Sequence, residues 1–127
     1  METITLTENT FVMCGDPSPE LSIEGAKQAI KCILNETDLA SLFASVDNKA
    51  WWIEDELYDY EEGTAEYAKI KGTIDNWFSL SDILRKMIFD ILRNEGVLIP
   101  ETKQIDVLEP FMRRNGYRNA QGWWLSL

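Results

Sequence analysis

The feature that most constrains the fold is the run Leu80, Ile83, Leu84, Met87, Ile88, Ile91 and Leu92. These positions recur every three or four residues, which gathers them on one stripe of an α-helix and on no single face of a strand. An apolar stripe of this width is stable only when covered, so the rest of the chain must supply elements that pack on it. Ser79 or Ser81 offers a hydroxyl at the start and Asn94-Glu95-Gly96 a glycine at the stop, so the pattern predicts a central core helix.

The same periodicity predicts further helices. Ile23, Ala26, Ile30, Ile33 and Leu34 share a face after Ser18-Pro19-Glu20, and Leu39, Leu42, Phe43 and Val46 form a second stripe with Thr37 as its cap. Trp51 to Glu62 reads as a third helix, closed by Gly63-Thr64. Tyr67, Ile70, Ile74, Trp77 and Phe78 make another, in which Gly72 predicts a close contact between helices. Asp106-Val107-Leu108-Glu109 has capping-box spacing and starts a last helix through Leu108, Phe111 and Met112, with Pro110 in a late or distorted first turn. Ile4 and Leu6, a polar turn, and Phe11 to Cys14 read as an N-terminal hairpin; Val97-Leu98-Ile99 and residues 122–127 read as short strands. The expected fold class is α+β and mainly helical, with about five to six helices, an N-terminal β-hairpin and short C-terminal strands. No linker or repeat divides the chain, so residues 1–127 are read as a single domain, long enough to bury a core without metal or disulfide.

Composition excludes more chemistry than any motif includes. The chain has no histidine, so imidazole-based triads, Cys-His pairs and His-ligated zinc or iron are unavailable within it. Cys14 and Cys32 form no Cys-x-x-Cys motif, and two such cysteines are expected to be reduced. With no phosphate-binding glycine loop and no nucleophile elbow, the expectation is a noncatalytic chain without cofactor or metal site. The N-terminus lacks a secretion signal and no apolar run reaches membrane-spanning length, so the cytoplasm is the expected location.

There are 22 acidic and 12 basic side chains, a formal charge of -10. Residues 1–66 hold 15 acidic and 3 basic groups, whereas residues 67–127 hold 7 acidic and 9 basic. The acidic excess peaks at Glu54, Asp55, Glu56, Asp59, Glu61, Glu62 and Glu66, interleaved with Trp51, Trp52, Tyr58 and Tyr60. One reading is an interaction surface for a protein with a basic surface, since Trp and Tyr among charges are the composition of binding hot spots. A nucleic-acid-mimicking inhibitor of a defence system would use the same face. The plainer reading is a solvated helix face whose aromatics belong to the core. Asp55-x-Leu57-x-Asp59 lacks the calcium-loop pattern, with Leu57 at a ligand position and Tyr60 at the glycine position.

A second cluster, Arg113, Arg114, Tyr117 and Arg118, lies beside Trp123 and Trp124. A helix over 81–93, a helix over 106–114 and a wing after it have the ingredients of a winged-helix DNA-binding regulator. The plainer alternative pairs these arginines with the acidic half. Nucleic acid is the weaker expectation, because the whole-chain charge repels phosphate.

The stretches Trp51-Trp52-Ile53-Glu54-Asp55-Glu56-Leu57-Tyr58-Asp59-Tyr60-Glu61-Glu62-Gly63-Thr64 and Phe111-Met112-Arg113-Arg114-Asn115-Gly116-Tyr117-Arg118-Asn119, with Trp123-Trp124, resemble small uncharacterised acidic proteins carried on mobile genetic elements of gut Firmicutes. The resemblance spans residues 50–127. It implies an accessory cytoplasmic protein of a mobile element, with interaction, regulation or anti-defence roles favoured over metabolism, and assigns no site.

Overall fold

The computed structural model describes residues 22–99 and 104–127. In order, these form α1 (Ile23–Ile30), α2 (Glu36–Glu56), a single 3-10 turn (Leu57–Asp59), α3 (Ala65–Asn94), α4 (Gln104–Arg114), β1 (Tyr117–Ala120) and β2 (Trp123–Ser126). The molecule is mainly helical. α2 and α3 pack along each other, α1 rests on both, and β1 and β2 pair antiparallel, Tyr117 opposite Ser126 and Ala120 opposite Trp123. The hairpin docks through β2 on α2 and through β1 on α4. The core between them is built from Phe43 and Val46 of α2, Leu84 and Ile88 of α3, Phe111 of α4 and Trp124 of β2, each almost wholly buried.

The helix count corrects the expectation of five to six. Among the described residues there are four α-helices, because two pairs of expected helices are continuous. Ser79 and Ser81 start nothing: the Ser79 hydroxyl donates to the Asp75 carbonyl at 2.8 Å, and Ser81 is buried in the middle of α3. The stripe Ile74, Trp77, Ser81, Leu84, Ile88 and Leu92 runs unbroken along a helix of 30 residues. Likewise Asp47 and Asn48, which look like a polar break between Val46 and Trp51, are buried inside α2. Polar side chains interrupt both stripes chemically without interrupting either helix.

The hairpin is also found at a different place. It lies at the C-terminal end, over Tyr117–Ser126, while the hairpin expected over residues 4–14 falls outside the described residues. Val97 to Ile99 forms no strand. The winged-helix-like arrangement is overturned with the helix count: residues 81–93 are the second half of α3 and not a separate helix preceding α4.

Several boundaries follow local rules. Asn35, not Thr37, caps α2, accepting from the Asp38 N–H at 2.8 Å, and Thr64 caps α3 by accepting from Tyr67 N–H at 3.2 Å. α3 ends in a Schellman motif, with Gly96 at φ 85°, its N–H donating to Arg93 O and the Val97 N–H to Leu92 O, both at 2.9 Å. α4 begins at Gln104, so Asp106 is inside it and Pro110 interrupts its interior. Gly72 marks no close helix contact: a methyl group there would meet nothing within 4 Å.

Candidate interaction surface and an adjoining cleft

The acidic and aromatic segment is the C-terminal end of α2 and the turn after it. The helix tightens at Leu57–Asp59, where the Tyr60 N–H donates to Leu57 O at 3.2 Å and Tyr60 itself is extended. Three carboxylates, Glu54, Asp55 and Glu56, occupy the last turn of α2, which holds no basic residue. Negative charge there opposes the helix dipole, each carboxylate destabilising the helix by about 0.3–1 kcal/mol.

The aromatics of this segment are on the surface, against the reading that made them core. Trp51 and Trp52 are each 46% exposed, Tyr60 41% and Tyr58 86%. Asp55, Asp59, Glu61, Glu62 and Glu66 are exposed, and Glu54 and Glu56 are half-buried. Among the described residues none of the seven carboxylates is in an ion pair, and Glu54 Oε2 is buried without a hydrogen-bond donor. Trp52, Glu56, Tyr60 and Glu66 share a groove of about 460 Å³ with Lys49 and Lys69. Lys49 Nζ lies 5.3 Å from the Trp52 ring centre and 5.9 Å from that of Trp77. Burial lowers its pKa, and the charge of Glu56 opposes that shift.

The four residues of the basic cluster do not form one face. Tyr117 is buried, its hydroxyl donating to Ser41 Oγ at 3.0 Å. Arg114 is held by Glu36 at 2.7 Å and Glu95 at 2.9 Å and stacks 5.0 Å over Phe111; its hydrogen bonds to Glu95 and Glu36 raise its pKa further. Arg113 pairs with Glu109 at 3.2 Å. Arg118 is exposed on β1. The pairing of Arg114 with Glu36 joins the basic and acidic halves of the chain.

A second constellation was missed by sequence reasoning. Asp47, 4% exposed, accepts the Ser81 hydroxyl at 2.8 Å through Oδ1 and the Trp124 indole N–H at 3.1 Å through Oδ2. Arg85 Nη2 approaches Oδ1 at 3.7 Å. Loss of hydration raises the Asp47 pKa above its ordinary 3.8, opposed by Ser81, Arg85 and Trp124. Beside it, Asn48 clamps the main chain of Trp124: Nδ2 donates to Trp124 O and Oδ1 accepts from Trp124 N, both at 2.9 Å. These contacts join α2, α3 and β2. The signal was in the sequence, since Asp47 follows Phe43 by four and Ser81 follows Trp77 by four, each a polar residue on an apolar stripe.

This cluster forms part of the wall of a cleft of about 260 Å³, shared with Arg85, Asn119, Phe43, Trp51 and Trp124. A second recess of about 330 Å³ also borders Trp51 and Gly122 and reaches Asp55, Gln121 and Trp123. The turn between the strands is of the I′ kind, with Gln121 at φ 54° and Gly122 at φ 94°.

Among the described residues no group of three or more Cys, Asp or Glu is placed to hold a metal ion, and no helix is long and apolar enough to cross a membrane. Cys32 is free and half-buried; Cys14 lies outside the described residues. No protein-family model, curated protein or solved structure matches the chain.

Proposed function

We propose that the protein is a noncatalytic protein-interaction module, acting in the cytoplasm, that uses the face from Trp51 to Glu66 to take a partner with a basic surface. The observation that carries this reading is the joint exposure of Trp51, Trp52, Tyr58 and Tyr60 among carboxylates that have no ion pair among the described residues. Half-exposed tryptophans offer contact area at little entropic cost, and the flanking charges steer a cationic partner. The three carboxylates against the dipole of α2 support the same reading, because a sequence that breaks a local rule without structural gain does so most often at a functional surface. The resemblance to mobile-element proteins fits an accessory role of this kind.

The test is capture of partners from cell lysate at low salt by the full chain and by a variant carrying Glu54→Gln, Asp55→Asn, Glu56→Gln and Asp59→Asn. The variant is expected to lose the captured proteins while keeping its fold. Identical capture by both would sink the proposal. Mass spectrometry of what is captured separates a basic protein partner from a nuclease whose nucleic acid this face imitates.

A further inference from the structure

The geometry points to a small-ligand site, adjoining the acidic face at Trp51, in the cleft between α2, α3 and the hairpin: it takes a neutral, flat ring bearing a carbonyl acceptor. Two features of the cleft carry this. Its lining includes three aromatic rings, Phe43, Trp51 and Trp124, and two of its side chains hold buried donors, Arg85 Nε and Asn119 Nδ2, with no acceptor among the described residues. Buried donors without partners are rare in folded chains, and two lining one recess call for an acceptor from outside.

Charge and size narrow the class. The Arg85 guanidinium already lies between Asp47 at 3.7 Å and Asp82 at 3.6 Å, so an anion would meet two carboxylates on a chain of net charge -10, and a cation would meet the guanidinium. A neutral acceptor avoids both. The cleft, at about 260 Å³, lies below the usual range for drug-sized ligands, which suits a single ring. Asp47 and Asp82 meet the guanidinium at its terminal nitrogens, Nη2 and Nη1, and its carbon lies 5.9 Å over the Phe43 ring, so Nε is the nitrogen left for a carbonyl oxygen. The Asn119 amide is fixed from its other side, because Oδ1 accepts from Gly122 N–H at 3.3 Å.

The probe is uracil, neutral and flat with two carbonyl groups, titrated into the full chain and followed by the indole N–H resonances of Trp51 and Trp124. Toluene, flat without an acceptor, and benzoate, flat and anionic, are the comparison probes. Uracil is expected to shift both resonances saturably and to bind about tenfold more tightly than either, as one or two recovered hydrogen bonds would give. Asn119→Asp keeps the acceptor for Gly122 and removes the donor; Arg85→Lys keeps the charge and removes Nε–H. Each is expected to weaken uracil about tenfold, with a dispersed Trp124 resonance certifying the fold. No saturable shift with uracil, equal binding of all three probes, or undiminished binding by whichever variant folds would overturn the assignment.

Discussion

Replacing Asp47 separates the two parts it plays, as hydrogen-bond acceptor and as buried charge. In Asp47→Ala the Ser81 hydroxyl and the Trp124 indole N–H lose their acceptor. A buried donor left unsatisfied destabilises by about 1–3 kcal/mol, so the variant should lose about 2–5 kcal/mol at pH 7, a large share of the roughly 5–15 kcal/mol that holds a domain together. Asp47→Asn keeps the shape: its oxygen accepts from Trp124 and its amide donates to Ser81 Oγ, so the loss should be about 1 kcal/mol or less. The pH dependence has a definite sign. The folded pKa of Asp47 lies above 3.8, so the native state binds the proton more tightly than the unfolded state. This contribution is fully present below 3.8 and declines as pH rises through the folded value. Wild type should therefore lose stability relative to Asp47→Asn as pH rises across that window. Urea denaturation, followed by tryptophan fluorescence and circular dichroism at several pH values, measures both effects, provided the denaturant slope is unchanged. Equal destabilisation by Ala and Asn, or a gap between wild type and Asn that is constant with pH, would refute the reasoning.

Gly72→Ala should stabilise by about 1 kcal/mol, raising the melting temperature by about 2–8 °C, because the helix gains propensity and the methyl meets nothing within 4 Å. Pro110→Ala restores a donor inside α4 at an exposed position and should stabilise by about 1–3 kcal/mol in the same denaturation assay. Gln121→Gly relieves a positive φ of 54° at the hairpin turn and should raise stability by about 0.5–1 kcal/mol, read from the urea midpoint. Asn48→Ala strands the main-chain N–H and C=O of Trp124 and should cost about 2–4 kcal/mol, visible as early loss of the Trp124 fluorescence signal.

The sequence made the helical class and most apolar core positions legible, because Leu84, Ile88 and Leu92 repeat at helical spacing whatever surrounds them. It made the helix lengths illegible at two places, and for one reason. Asp47 and Ser81 have the local preferences of caps and breaks, and their mutual bond across 34 residues, with the Trp124 indole N–H on Asp47, allows both to sit in a core. Pro110 misled in the same direction, toward a late start at Asp106, since tertiary packing of Phe111 and Met112 carries α4 across it from Gln104. At the candidate surface, charge density and aromatic content were readable from composition; exposure was not, because Trp51 and Trp52 suit a core equally well. The cleft was invisible, as its wall combines Arg85 with Asn119 and Trp124 from a distant hairpin.

The Asn48 clamp on Trp124 bridges 76 residues of chain, which gives synthesis an order. A chain that stops short of β2 can still pair α2 with α3, leaving Asp47 and Asn48 without their contacts to Trp124. Closure waits for Trp124 to leave the ribosome, so a message truncated before that codon would yield a helical pair with an unsealed polar seam. Quality control by chaperone or protease would have that seam to recognise, and a single tryptophan marks the point at which it disappears.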